Sequence, residues 1–258
     1  RLLTARSSQY QGLPQSGPHC SYIIKISVIT LELDMFFHFG APERLGTIGQ
    51  EAPNLADAKS KIEIAVIDDK PFEPKDALIT HKFRIVELGP DIRSIDQVST
   101  YPIIICDVSG VAKAFGSPLE GAHLVSEIRK AYPDKFLMAY TGLTYSLAIT
   151  NALIAADKRM EKDASSDAWV QNLEAGICEV VNPRSRWIRL RRALLERGVE
   201  LFDVLMLEQA FIKAVRQGKP DCLANAARSL GISSEIRDLV IKFSATAVAS
   251  LVGTALGI

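Results

Sequence analysis

Two stretches decide the fold: residues 61–69, KIEIAVIDD, and residues 101–110, YPIIICDVSG. Both are almost continuous apolar runs that lead into aspartate. Such runs are typical of strands covered by helices on both faces of a parallel sheet. Three further segments extend the pattern: FRIVELG at 83–89, KFLMAYTG at 135–142 and the weaker KRMEKD at 158–163. The sequence therefore predicts an α/β fold with a doubly wound, five-stranded parallel sheet.

The clearest helix is predicted after the third strand, in GAHLVSEIRKAYP. Leu124, Ile128 and Tyr132 lie four residues apart there, which places them on one face of a helix. Pro133 ends the pattern, because a proline disfavours helical geometry at the residue before it. The segment between the first two strands leaves room only for a short helix.

Domain organisation follows from a change of composition along the chain. Residues 1–60 begin with a Ser, Gln, Gly and Pro-rich stretch, which predicts an N-terminal tail and linker that is disordered in part. Residues 61–180 carry the α/β pattern and are interpreted as one domain. Residues 181–258 are helical in pattern, with Asn182 and Ser233 as helix starters, and predict an all-α C-terminal region.

Composition limits the classes of function. With 48% hydrophobic and 23% charged residues, the chain is typical of a soluble globular protein. Its 30 basic and 30 acidic residues balance, so no long-range field attracts nucleic acid or an anionic membrane. The four cysteines form no CxxC pair, which indicates neither a zinc site nor a disulfide framework and favours a reducing, cytoplasmic location.

Polar side chains follow the predicted strands at their carboxyl ends. The first strand leads into Asp68 and Asp69, the third into Asp107, the fourth into Thr141 and the fifth into Lys162. In a doubly wound sheet the ligand site lies at these ends, so we expect the five side chains to converge. Adjacent carboxylates repel unless a cation such as Mg²⁺ neutralises them. A carboxylate in this setting can attack a phosphoryl group.

The chain resembles the CheY-like receiver domain of response regulators. Four segments carry the resemblance, in this order: IAVIDD, PIIICDVSG, FLMAYTG and RMEKDAS. The resemblance extends across roughly residues 61–176. It implies the flavodoxin-like receiver fold, with Asp107 as the residue that accepts the phosphoryl group. It also implies a histidine kinase or a phosphotransfer protein as the partner that donates this group.

The same resemblance implies roles for the neighbouring residues. Asp68 and Asp69 match the acidic pair of the family, which would bind Mg²⁺ together with Asp107 and the backbone carbonyl of Ser109. Thr141 matches the switch hydroxyl. Lys162, whose ammonium group would hold a phosphoryl oxygen, matches the lysine of the family.

Three features depart from the family pattern. The segment after the acceptor, DVSGVAKAFGSPLEG at 107–121, is several residues longer than usual. Asp163 stands where the family has proline, and Met160 stands where an aromatic side chain usually reports the switch. We expect these changes to affect the output of the domain more than phosphoryl transfer.

These observations favour a two-component response regulator, in which Mg²⁺-dependent phosphoryl transfer from a histidine kinase to Asp107 controls the helical output region. The receiver itself would catalyse its phosphorylation and dephosphorylation, so no conventional metabolic activity is expected. The alternative is a pseudo-receiver that is not phosphorylated and acts as a protein interaction module. A DNA-binding regulator is a third hypothesis.

The C-terminal region leaves alternatives open. The segment RSRWIRLRRALLERG at 184–198 could contact nucleic acid, but in a neutral chain we interpret it as an amphipathic helix whose arginines pair with acids. We therefore do not expect nucleic-acid binding. Residues 243–258 carry no charge, and their run is shorter than the ~20 residues that span a bilayer. Burial or a homodimer through the C-terminal helices is the first interpretation, and membrane contact of this last helix is the second.

Overall fold

The computed structural model describes residues 42–50, 53–142 and 146–248. The chain divides into two compact units, Arg1–Pro42 and Glu43–Ile258, and every element described below lies in the second. The strands are β1 (Glu63–Ile67), β2 (Arg84–Glu87), β3 (Ile103–Asp107), β4 (Phe136–Thr141) and β5 (Lys158–Glu161). The α-helices are α1 (Leu55–Lys61), α2 (Lys75–Thr80), α3 (Glu120–Ala131), α4 (Leu147–Ala152), α5 (Ser166–Val181), α6 (Pro183–Glu196), α7 (Leu201–Gln217), α8 (Asp221–Ser229) and α9 (Ser234–Phe243). Shorter 3₁₀ turns occur at Leu45–Thr47, Ile95–Val98, Lys113–Phe115 and Leu153–Ala155, and a π-helical turn at Ser244–Val248.

The five strands form one parallel sheet in the order β2-β1-β3-β4-β5. The crossovers wind to one side from β1 to β2 and to the other from β3 onwards, so the direction reverses between β1 and β3. This order is the flavodoxin-like one, and its ligand crevice lies outside the carboxyl ends of β1 and β3. The predicted fold class, a doubly wound parallel sheet followed by a helical region, is confirmed.

Each face of the sheet is covered by helices, which explains the continuous apolar strands. Ile64 and Val66 of β1 pack into the core shared with α1, α2 and α5. Ala65 and Ile67 of the same strand pack into the core that contains α3. The predicted apolar face of α3 is confirmed, because all three of its spaced side chains are buried: Leu124, Ile128 and Tyr132.

The helical region has a core of its own, formed by α6, α7, α8 and α9. Trp187 of α6 stacks on Phe211 of α7 with ring centroids 4.9 Å apart. The predicted helix starts are also confirmed. The Asn182 side chain accepts hydrogen bonds at the start of α6, and the Ser233 hydroxyl accepts one from the Ile236 backbone N–H at the start of α9. These caps satisfy backbone N–H groups that have no partner within the helix.

Two short pieces before residue 61 pack on these cores. Helix α1, capped by Asn54, buries Ala58 in the core beneath the sheet. Ile48 packs instead with the core of the helical region. The predicted division of the chain into a tail of 60 residues, a receiver domain and a helical region stays a prediction.

The arginines of α6 pair largely with acids, as predicted for an amphipathic helix. Arg186 bonds to Asp134, Arg189 to Asp157, and Arg191 to Glu208. Among the described residues, no helix combines the length and the apolar character that crossing a membrane requires. Most of the uncharged segment at 243–258 lies outside the described residues, so its predicted burial, self-association or membrane contact stays a prediction.

Candidate phosphoryl-transfer site

Three carboxylates meet at the carboxyl ends of β1 and β3, as the sequence predicts. Asp68, Asp69 and Asp107 each bring an oxygen within 4.8 Å of the others. Asp107 is only 2% exposed and Asp68 7%, whereas Asp69 lies at the surface. The cluster therefore concentrates negative charge at a partly buried site that is open to solvent on the side of Asp69.

Lys162 partly neutralises this cluster. Its Nζ lies 2.6 Å from Oδ2 of Asp107, and its backbone N–H donates to the Thr141 carbonyl at 3.1 Å. The other oxygen of Asp107 accepts from the Ser109 backbone N–H at 3.4 Å. Burial raises the pKa of Asp107, and the Lys162 hydrogen bond and charge only partly oppose this. Burial lowers the pKa of Lys162, but the hydrogen bond to Asp107 and the charges of the three aspartates together raise it overall.

Thr141 lies at the end of β4, buried beside the cluster. Asp107 pairs in register with Tyr140 of β4, so Thr141 is the next residue along the neighbouring strand. Thr141 is 5% exposed. The structure thus brings four of the predicted side chains into one crevice edge with Thr141 adjoining them. The predicted metal ligation by the Ser109 carbonyl stays a prediction.

A residue that the sequence analysis did not single out completes the cluster. Tyr140 is 3% exposed, and its hydroxyl donates a hydrogen bond to Oδ2 of Asp68. The other oxygen of Asp68 accepts from the Lys70 backbone N–H at 3.0 Å. Burial and the bonded carboxylate of Asp68 raise the pKa of Tyr140, so its hydroxyl stays protonated and can only donate to Asp68.

The sequence signal for Tyr140 is weak. In KFLMAYTG, strand alternation places Tyr140 and Thr141 on opposite faces, and an aromatic residue in a buried strand is usually a core residue. Its ring does lie in the core beneath the sheet. The phenol side chain is long enough that its hydroxyl reaches Asp68 while its ring stays in that core.

The loop after β3 is shaped around the cluster by two glycines. A Cβ on Gly110 would lie 2.5 Å from an Asp69 carboxylate oxygen, and its φ of 82° is in the left-handed region. A Cβ on Gly121, in the first turn of α3, would lie 1.8 Å from the Asp107 carbonyl oxygen. Glu120 accepts a hydrogen bond from the Gly110 backbone N–H at 2.6 Å. The long loop is therefore tied back against the acidic edge.

The residues present fit a divalent cation. All three convergent side chains offer carboxylate oxygens, which Mg²⁺ and Ca²⁺ prefer over nitrogen or sulfur. Burial raises the pKa of Asp107 more than the hydrogen bond and charge of Lys162 lower it. The space that Gly110 leaves beside Asp69 keeps that carboxylate accessible. Asp68, Asp69 and Asp107 would hold such an ion.

No family model and no curated protein matches the chain. Solved structures do. A response regulator receiver domain protein from Methanospirillum hungatei is 15% identical, covering 46% of this chain and 94% of its own, with a TM-score of 0.37. The Vibrio cholerae chemotaxis protein CheY4 is 14% identical, covering 45% and 98%, also at 0.37.

A response regulator from Burkholderia pseudomallei, solved with a phosphorylated aspartic acid, a calcium ion and citrate, is 16% identical. That likeness covers 60% of this chain and 92% of the other, with a TM-score of 0.35. Because these identities and TM-scores are low, the fold assignment rests on the strand order of the chain itself. From β1 to α5 the chain has the flavodoxin-like strand order β2-β1-β3-β4-β5, and the solved structures to which it is similar are response regulators and receiver domains.

Proposed function

We propose that this protein is a response regulator whose Asp107 accepts a phosphoryl group from the phosphohistidine of a histidine kinase or a phosphotransfer protein. The single observation that carries the proposal is the environment of Asp107. This buried carboxylate lies at the topological switch point of the sheet, within 4.8 Å of two other carboxylates and 2.6 Å from Lys162. A structural aspartate would need only a charge partner and not two further acids.

The transfer step follows from this geometry. One carboxylate oxygen of Asp107 attacks phosphorus, the phosphorus–nitrogen bond of phosphohistidine breaks, and the imidazole nitrogen keeps the electron pair and is protonated. Lys162 would hold an oxygen of the transferred group, and Thr141, one residue beyond the register partner of Asp107, would donate its hydroxyl to another. Mg²⁺ bound by Asp68, Asp69, Asp107 and the Ser109 carbonyl would neutralise the phosphoryl oxygens.

The helical region is the proposed output. Helix α5 covers the sheet and runs through Asn182 into α6, so the receiver and the helical core are joined without a linker. Arg186 of α6 bonds to Asp134 beside β4, which adds a tertiary link to the covalent one. Phosphorylation would act by changing how these helices pack or which partner they contact.

The test uses the full chain, Mg²⁺ and acetyl phosphate as the donor. Intact-mass analysis should detect the gain of one phosphoryl group, and hydroxylamine should remove it because it cleaves acyl phosphates. Asp107→Asn should abolish the gain, and chelation of Mg²⁺ should prevent it. Asp163→Asn, at an exposed aspartate beside Lys162, is the matched control and should be phosphorylated normally.

A wild-type protein that takes up no phosphoryl group from acetyl phosphate, or takes it up equally in Asp107→Asn, would contradict the proposal. The first result would favour the pseudo-receiver instead. A DNA-binding output gains no support from the structure, because Arg186, Arg189 and Arg191 of α6 already bond to acids.

A further inference from the structure

Tyr140 occupies a position that links the acidic edge to the core. Its hydroxyl donates to Asp68, while its ring is held edge-on by two aromatic side chains. The ring centroids of Phe72 and Trp169 lie 5.6 Å from that of Tyr140, at interplanar angles of 73° and 83°. Phe72 and Trp169 also contact each other, at 5.3 Å. A ring enclosed in this way has little rotamer freedom, so the position of its hydroxyl is defined.

The Tyr140 hydroxyl donates its hydrogen bond to Asp68, a residue with a proposed role in metal binding. Asp68 is one of the three carboxylates that would hold the cation, and it is buried. Its two oxygens accept from the Tyr140 hydroxyl and the Lys70 backbone N–H. Hydrogen bonds of this kind behind a metal-binding carboxylate fix its orientation, and their loss weakens metal binding.

The same ring also faces the cation of the site. Lys162 Nζ lies 5.1 Å from the Tyr140 ring centroid, within the range of a cation–π contact. Tyr140 therefore contacts both a proposed metal-binding carboxylate and the proposed phosphoryl-binding lysine. A side chain that served only to fill the core would need neither contact, and phenylalanine would serve as well.

We infer that Tyr140 is a positioning residue, whose hydroxyl holds the Asp68 carboxylate in the orientation that binds Mg²⁺. This inference deepens the proposed function and rests on it, because it assumes that the three aspartates bind the ion. Tyr140 does not touch the phosphoryl group and acts through Asp68.

The test measures Mg²⁺ affinity of the full chain by isothermal titration calorimetry. Tyr140→Phe keeps the ring and removes the hydroxyl, and we expect it to weaken Mg²⁺ binding about tenfold, the lower end of the effect of losing such a bond. The matched control is Tyr132→Phe. Tyr132 is equally buried and donates to a carboxylate, Asp96, at 2.8 Å, but it lies in the other core of the sheet. Its substitution should leave the affinity unchanged.

A second comparison separates positioning from a general loss of stability. Asp68→Asn should weaken Mg²⁺ binding by itself, and adding Tyr140→Phe to it should cause no further loss because the hydroxyl acts only through that carboxylate. This double variant also leaves no buried charge without a partner, so it remains informative where Tyr140→Phe alone folds poorly. Thermal melting without Mg²⁺ checks that each variant is folded.

The outcomes distinguish the inference from the function on which it rests. Equal or tighter Mg²⁺ binding by Tyr140→Phe, in a wild-type protein that binds Mg²⁺ and is phosphorylated on Asp107, would overturn the inference alone. A tenfold loss repeated in the Asp68→Asn background would overturn it too, because the hydroxyl would then act elsewhere. Failure of the wild type to bind Mg²⁺ would overturn both.

Discussion

The two ends of β4 carry charged clusters of opposite kinds. At the carboxyl end, three aspartates face one lysine, and the cluster opens to solvent through Asp69. At the amino end, Asp134 and Lys135 are each 1% exposed and receive their partners from the protein itself. Arg186 donates to Asp134, and Lys135 Nζ donates to the carbonyls of Ser99 and Tyr101 at 2.7 and 2.8 Å.

The amino-end cluster extends through a second acid that serves two arginines. Asp157 bonds to Arg129 at 2.6 Å and to Arg189 at 2.7 Å, and it accepts from the Leu137 backbone N–H at 2.8 Å. Charges that are paired within the protein hold elements together, here α3, β4 and α6. At the carboxyl end, three carboxylates share one lysine, and we propose that an ion from solvent supplies further positive charge. The amino-end cluster therefore has a structural role, and the carboxyl-end cluster is the one that we propose to bind an ion and a phosphoryl group.

Removing Arg186 should have the largest effect on stability. Arg186→Leu leaves the carboxylate of Asp134 buried without its cation, which costs about 3–5 kcal/mol of the free energy of unfolding. Urea unfolding followed by circular dichroism measures it. Arg184→Leu, the same change two residues earlier at an exposed site of α6, is the control and should shift the midpoint little. A similar midpoint for both variants would contradict the structural role of this cluster.

Removing Lys162 should instead reduce phosphorylation. Lys162→Met takes away one fixed donor for the phosphoryl oxygens, so the rate of Asp107 phosphorylation by acetyl phosphate should fall about 10²–10³-fold, equivalent to about 3–4 kcal/mol. Stopped reactions analysed by intact mass give the rate. Lys158→Met, at the exposed start of the same strand, should phosphorylate at the wild-type rate. An unchanged rate in Lys162→Met would remove this lysine from the mechanism.

Lys135 should make stability depend on alkaline pH. Burial lowers its pKa from 10.5 to about 8, with Arg186 adding to and Asp134 opposing this effect. The unfolded chain therefore binds more protons than the folded protein between pH 8 and 10.5, so the contribution of Lys135 to the free energy of unfolding rises across this range. The gain should be on the order of 2–3 kcal/mol.

The measurement compares urea unfolding of the wild type and of Lys135→Met at several pH values. The difference in free energy between the two proteins should change in favour of the wild type from pH 8 to 10. Lys130→Met, at an exposed position of α3, controls for other groups that titrate in this range. A difference that stays constant with pH would mean that Lys135 titrates normally.

The smallest expected effect on stability is that of replacing Asp107 in the absence of a metal ion. Because burial raises its pKa, the folded protein binds this proton more tightly than the unfolded chain does, and the charged carboxylate costs stability at neutral pH. Asp107→Asn should therefore stabilise the protein in a chelator, and a higher melting temperature than that of the wild type would show it. The gain should disappear in acid.

Added Mg²⁺ should make the wild type more stable than Asp107→Asn, because the wild type binds the ion and the variant lacks one of the carboxylates that hold it. Asp163→Asn is the control, since its exposed carboxylate needs no compensation. Lower stability of Asp107→Asn in a chelator would mean that the Lys162 ion pair, and not the burial of the charge, dominates at Asp107.

Much of the proposed site was predictable because it depends on local pattern. The apolar runs predict where strands end, and strands that run parallel must bring those ends to one edge of the sheet. This is why Asp68, Asp69, Asp107 and Lys162 could be grouped before their geometry was known. Helix starts at Asn182 and Ser233 were predictable for the same reason, since a cap acts on backbone groups two or three residues away.

Contacts that depend on where distant elements pack were not predictable. The bond from Tyr140 to Asp68 joins residues 72 positions apart, and alternation along β4 by itself assigns Tyr140 to the core. The Arg186 bond to Asp134 spans 52 positions, and composition predicts only that the arginines of α6 find acids. Equally, residues before position 61 looked like linker, yet Ile48 and Ala58 lie buried in two different cores.

By itself, the sequence determined that the chain forms a parallel sheet and that acidic side chains follow its strands at their carboxyl ends. Both properties depend on neighbouring residues, because periodicity and strand direction are local. The tertiary structure decided which partners surround each charge. Lys135 and Asp107 both lie at ends of buried strands, but one receives two backbone carbonyls and the other lies among carboxylates. That difference arises only when crossovers bring α3, α6 and the loops to opposite ends of β4, since a charge is stabilised by whatever surrounds it in space.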